Sequence, residues 1–320
     1  MDDSKFWSNN FSEEIQTEIL SLIGFAINNA WSNLLDSLPK TKPCCVPAFG
    51  YQNNEPPDYN IPMNQHLYVL KYFPAYLYEY TKMYQQIFRR AVKRKIKRLT
   101  VLSFGCGCGL DFYGLYFARK ICDVTHIPVC YRGVDLVEWE YRRLIPDEDN
   151  FQSKYSNHDI AKILSNRLSK YNIFIFPKSL SEFPDVTFKS LYENICQSNF
   201  TSPFILATST MTTAYERDVD RIKMLINAFG RKCESLSPCA EAQNHAIRRD
   251  WWFWSYPDEI MGNLKNINSS CPEFSTCPQS QICMDTPGAQ RARTPILTQN
   301  FVRYYIETFY NHEQVKMADH

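Results

Sequence analysis

Apolar positions recur along this chain in two rhythms, and the rhythm changes where the elements should change. Ile15, Ile19, Leu22, Ile23, Ala26 and Ile27 stand three or four apart, with Ser12 ahead as an N-cap and Pro39 and Pro43 behind. That spacing predicts a helix over residues 12–38 with one buried stripe. Residues 39–63 hold six prolines and predict an irregular connector. The helical rhythm returns from about residue 66 to 98. There Tyr72, Tyr76, Tyr80, Tyr84 and Phe88 stand four apart, predicting an aromatic face packed into a core. Pro74 must either open that helix or kink it.

From residue 99 the pattern alternates. Short apolar runs at 99–104, 129–136, 172–177 and 203–209 are separated by amphipathic stretches such as 112–118 and 186–197. Strands apolar on consecutive residues belong in a parallel sheet covered on both faces. A third strand is expected to end near Asp159, a further helix near 216–229, and two late strands near 250–256 and 295–305. The reading is therefore α/β, a doubly wound, mostly parallel Rossmann-like sheet with ligand at the C-terminal strand ends. Residues 1–98 form an N-terminal helical region. Residues 99–320 form the Rossmann-like domain, with a cysteine-containing insertion at about 233–290.

Composition adds little to this picture. The 320 residues are 44% hydrophobic, enough for a large core, and the formal net charge of +1 leaves only local clusters informative. No secretory signal follows Met1 and no apolar run is long enough to span a membrane, so a cytoplasmic protein is expected. Seven cations fall in residues 89–98 (Arg89, Arg90, Lys93, Arg94, Lys95, Lys97 and Arg98). They suit either an RNA phosphate backbone or a solvated helix end.

Candidate chemistry begins with Ser103-Phe104-Gly105-Cys106-Gly107-Cys108-Gly109, a strand running through three alternating glycines into a helix. Glycines there let backbone approach a ligand, and the helix N-terminus offers free N–H groups. The spacing is GxGxG. It is not the dinucleotide GxGxxG, which disfavours an NAD(P)-dependent oxidoreductase, and no Gly-Lys-Ser/Thr follows, which excludes a P-loop. Asp135 with Leu136, at the end of the next strand, suits the ribose hydroxyls. Asp159 suits either an adenine contact or an N-cap. Pro177 closes the fourth strand.

This turn resembles motif I of class I S-adenosylmethionine (SAM)-dependent methyltransferases. The resemblance implies SAM as cofactor, held by Ser103, Phe104, Gly105, Cys106, Gly107, Gly109, Asp135, Leu136, Asp159 and Pro177. Ser103 stands where that family has an acid two residues before the first glycine, and Phe176-Pro177-Lys178-Ser179 is not an Asp/Asn-Pro-Pro-aromatic motif, so no catalytic residue is assigned.

Cys271, Cys277 and Cys283 stand six apart in a proline-bearing loop, with Cys233 and Cys239 upstream. Thiolates bind zinc or iron–sulfur clusters, with Cys239, Cys233 or His245 as the candidate fourth ligand, and the alternative is a set of unpaired surface thiols. The Cys-Pro-x4-Cys-Pro-x4-Cys segment and Tyr72-Phe73-Pro74-Ala75-Tyr76 are similar to the mitochondrial small-ribosomal-subunit methyltransferase-like family. That resemblance implies ribosomal RNA as partner. Arg248-Arg249-Asp250-Trp251-Trp252-Phe253-Trp254 suits base stacking or a buried strand. Two functions follow: a SAM-dependent methyltransferase acting by preference on RNA, or a catalytically inactive RNA- or ribosome-binding protein on the same fold.

Overall fold

The computed structural model describes residues 12–37, 57–200, 204–210, 214–230, 248–250 and 300–309. Two compact units divide the chain. One takes Met1–Gln16, Leu77–Asp250 and Phe301–His320, and the other takes Thr17–Tyr76 and Trp251–Asn300.

Helix α1 (Glu13–Ser37) buries Ile19, Ile23, Ala26, Ile27, Ala30 and Leu34, the stripe that the helical spacing predicts. Helix α2 (Pro62–Lys93) runs on through Pro74. Its aromatic row is core at Tyr80, Tyr84 and Phe88, all 1% exposed or less. Tyr72 and Tyr76 are half-buried and stack on each other with centroids 4.7 Å apart. The helix ends at Lys93, and Lys93, Arg94, Lys95, Lys97 and Arg98 are exposed. Arg90 is spent within the fold, donating to Ile306 O and Thr308 Oγ1.

The Rossmann-like sheet is built from β1 (Leu99–Phe104), β2 (Val129–Asp135), β3 (Phe151–Asn157), β4 (Ile173–Pro177) and β5 (Phe204–Ser209). Helix α3 (Leu110–Ile121) connects β1 to β2, α5 (Asp185–Gln197) connects β4 to β5, and the single turn α4 (Ser165–Leu168) lies between β3 and β4. Helix α6 (Tyr215–Gly230) follows β5. Two short strands, β6 (Arg248–Asp250) and β7 (Asn300–Val302), pair with each other, and β8 (Tyr304–Phe309) returns to the main sheet. The order is β3-β2-β1-β4-β5-β8, parallel throughout except for β8, which pairs antiparallel with β5. An antiparallel edge on a parallel, doubly wound sheet is common in this architecture.

Alternate residues of each strand serve opposite faces. Leu102, Phe104, Phe174, Phe176, Phe204 and Leu206 pack with Leu191, Ile195, Leu225 and Phe229 of α5 and α6. On the other face, Phe112 of α3 stacks on Phe151 and meets Tyr131 and Tyr155. Gly114 lets α3 touch α2: a Cβ there would lie 2.6 Å from Tyr80 Cβ and 2.8 Å from Thr81 N.

The third strand departs from expectation. It spans Phe151–Asn157 and stops two residues short of Asp159. Its sequence, FQSKYSN, alternates because β3 is the sheet edge with one wet face, so it lacks the continuous apolar run that marked β1, β4 and β5. The expected late strands at 250–256 and 295–305 appear in part as β6, β7 and β8, and residues 251–256 lie outside the described ones.

Candidate site at the glycine turn

In a doubly wound sheet the loops at the C-terminal strand ends form the ligand crevice. Here those loops follow Phe104, Asp135, Asn157, Pro177 and Ser209. Strand β1 breaks into left-handed backbone at Gly105, Gly107 and Gly109, with φ of 65°, 54° and 82°. L-side chains pay about 1–2 kcal/mol in that region, so glycine belongs at each position. The three differ in what surrounds them. A Cβ at Gly105 would lie 2.6 Å from Ser179 Cβ, and one at Gly109 would lie 2.5 Å from the Tyr155 hydroxyl. At Gly107 the nearest atoms are those of the Trp139 ring, 3.7 and 3.8 Å away. The outer glycines allow close internal packing, and the middle one leaves backbone open to approach.

The turn is tied to the sheet at several points. Gly105 N donates to Val134 O at 2.7 Å, and Ser179 Oγ donates to Phe104 O at 2.5 Å. Asp135 accepts from Gly107 N on one oxygen (2.8 Å) and from Val137 N on the other (2.9 Å). Burial holds the Asp135 carboxyl above the usual carboxylate range, while these two amides and Arg142 pull it back. The Trp139 side chain adds a further hydrogen bond, which leaves the carboxylate part of its acceptor capacity for a ligand hydroxyl. Arg142, which no motif marks, holds the loop from the other side. Its guanidinium donates to Gly107 O (3.0 Å), Val137 O (3.0 Å) and Asn157 Oδ1 (2.8 Å) and lies over the Tyr155 ring.

The remaining sequence candidates divide. Ser103, Phe104 and Cys106 turn their side chains inward: Ser103 is fully buried, Phe104 stacks on Phe176, and Cys106 Sγ lies 2.6 Å from where a Gly133 Cβ would stand. Only their backbone borders the crevice. Leu136 is 70% exposed beside Asp135. Pro177 is buried at the end of β4. Asp159 is the N-cap of a single 3-10 turn, accepting from Ala161 N at 2.9 Å, and so follows the capping reading of that residue. Cys239, Cys271, Cys277 and Cys283 lie outside the described residues. Among the described residues no group of His, Cys, Asp or Glu is arranged to hold a metal ion. The described cysteines Cys106, Cys108 and Cys122 are buried free thiols, and burial pushes Cys108 and Cys122 up to about 12.

Two carboxylates near the crevice were not singled out by the sequence. Glu79, on α2, is fully buried at the ends of β4 and β5. It pairs with Lys178 Nζ at 2.9 and 3.1 Å and accepts from Ser209 Oγ and Arg303 N. Lys178 Nζ also reaches Thr210 O at 3.0 Å. Asp111, in the first turn of α3, is fully buried and accepts from Tyr131 OH on both oxygens, at 2.8 and 3.0 Å. Burial raises its pKa to about 6 against the pull of the Ser103 and Tyr131 hydroxyls. Among the described residues the buried hydroxyls of Tyr155, Ser156, Ser181 and Thr210 meet no hydrogen-bond partner.

No protein-family model matches this chain, and no curated protein matches it. Solved structures with a similar backbone include three methyltransferases. The plantazolicin methyltransferase BpumL in complex with SAH is 12% identical, with 93% of this chain and 99% of that chain covered and a TM-score of 0.33. The Dnmt2 methyltransferase of S. pombe is 14% identical, covering 41% and 39%, with a TM-score of 0.28. SAM-bound CalS10, an amino pentose methyltransferase from Micromonospora echinaspora, is 9% identical, covering 41% and 51%, with a TM-score of 0.28. Likeness at this level carries no argument about chemistry, so the function is argued from the residues themselves.

Proposed function

We propose that the chain is a SAM-dependent methyltransferase whose cofactor lies across the glycine turn. The observation that carries the reading is the link between Gly107 and Asp135. The open glycine of the turn and the acid of the next strand are joined by a 2.8 Å hydrogen bond, so ligand-facing backbone and ribose-directed carboxylate are set in one frame. The residues fit such a cofactor. Gly107 leaves room, Asp135 keeps acceptor capacity, and the Tyr155 and Ser156 hydroxyls are buried with bonds to spare.

When bound, SAM supplies a methyl group on a sulfonium sulfur, an electrophile that a nucleophilic acceptor atom takes in line as the acceptor sheds a proton. The chain's contribution is positional. Asp135 and Arg142 hold the turn. The corner after β4, fixed by Lys178 on Glu79 and by Arg221 on Leu180 O and Phe183 O, borders the acceptor side. No catalytic base is assigned there, because Glu79 and Lys178 are occupied with each other.

RNA as acceptor or partner is a second reading, favoured by the five exposed cations between Lys93 and Arg98. These precede β1, whereas the glycine turn follows it. A six-residue strand of roughly 20 Å separates them, so the run would grip a backbone at a distance from the site. Reading this way predicts RNA affinity that falls steeply with salt.

Calorimetric titration of SAM tests the principal reading. Saturable binding to the wild type, lost in Asp135→Ala, is expected. A folded wild type that takes up no SAM refutes it.

A further inference from the structure

Among the described residues, Asp111 is a buried acid with no cation to meet. Its neighbours are the hydroxyls of Tyr131 from β2, Ser103 from β1 and Tyr84 from α2, and the backbone amides of Asp111 and Phe112 at the start of its own helix. Among the described residues no lysine, arginine or histidine stands within ion-pair distance of it. Buried carboxylates are ordinarily paired, or else they take up a proton. This one is raised only to about 6, so it is an anion at neutral pH.

Its position matters as much as its charge. Asp111 lies two residues beyond Gly109, in the first turn of the twelve-residue helix α3. A helix N-terminus behind a glycine turn attracts anions, and by itself would suit a pyrophosphate. A carboxylate in the first turn offsets that field. The other charges at the turn are already engaged: Asp135 by the Gly107 and Val137 amides, and Arg142 by two carbonyls and Asn157. What remains, among the described residues, is an acid beneath the turn that no lysine, arginine or histidine side chain pairs with.

We propose that Asp111 is the specificity-determining charge of the glycine turn, selecting a positively charged nucleoside of the sulfonium class over an anionic dinucleotide. It acts through its field, with Tyr131 holding it in place, and it requires that the turn bind a nucleoside cofactor as proposed above. Two unit charges about 8 Å apart at an effective dielectric of about 20 alter binding roughly thirtyfold.

The other groups facing Asp111 do not compete for protons in the same range. Burial pushes Tyr84, Tyr113, Tyr131, Tyr155 and Cys106 well above their ordinary values and Cys108 up to about 12. Asp135, also raised, is a further acid at the turn.

The test compares SAM with SAH, its uncharged-sulfur counterpart, by calorimetry at pH 8 on wild type and Asp111→Asn. Expected is a loss of tenfold or more for SAM in the variant, with SAH changed by about twofold or less. Equal losses for the two ligands, or none in a folded variant, overturn the inference. Tyr131→Phe keeps the carboxylate but strips its hydroxyl donor. It should move the pH midpoint of SAM affinity upward, and an unmoved midpoint also overturns the inference. A wild type that binds neither ligand removes the cofactor reading itself, a result distinct from the other two.

Discussion

Two acids are sealed inside the same α/β unit, and they are treated oppositely. Glu79 is closed in with Lys178, Ser209 and the Arg303 amide, so its charge is answered from within. Asp111 receives the Tyr131 hydroxyl and the first amides of its own helix, and among the described residues no cation. The first arrangement is what a stable corner needs, joining α2 to the ends of β4 and β5. The second is costly to the fold, and such costs are retained where a ligand repays them. The contrast separates structural from functional burial of charge by one criterion, whether a cation among the described residues answers the acid.

The largest effect expected is at Lys178. Lys178→Met strands a fully buried carboxylate and should destabilise the unit by about 3–5 kcal/mol in urea denaturation. Asp111→Asn should do the reverse. The folded-state value of about 6 lies above the ordinary 3.8, so wild-type stability is lost as pH rises between those values. At pH 8 the variant should be more stable by about 3 kcal/mol, and below pH 4 the two should coincide. If Asp111→Asn is instead the less stable protein at pH 8, the contrast between the two acids fails. Two further changes calibrate the scale. Gly114→Ala, with its methyl driven against the α2 backbone, should cost about 1–3 kcal/mol by the same denaturation. Asp159→Ala should cost about 1 kcal/mol through its lost cap and Asp159→Asn almost nothing, both read from thermal melts.

Much of the fold is legible in the sequence because parallel strands buried on both faces must be apolar on consecutive residues. Ile173–Pro177 and Phe204–Ser209 declare themselves in this way. The edge strand Phe151–Asn157 does not, since its wet face admits Gln152 and Lys154, and the expected strand end slides to Asp159. Within the site, the local motif is readable: three glycines, then Asp135 on the next strand. What joins distant segments is not. Glu79 meets Lys178 across 99 positions, and Arg142 reaches Gly107 across 35, with no periodicity to announce either. Asp111 is visible in the sequence as one residue of the helix start. Its isolation from every described cation emerges only when α2, β1 and β2 are assembled around it.

Hydrogen exchange with and without SAM tests most directly whether a SAM-type cofactor lies over the glycine turn. The amides of residues 105–109 and 135–139 should exchange more slowly when SAM is added, because opening of the turn then requires ligand release. Protection absent from both segments, or confined to segments elsewhere in the chain, would contradict it.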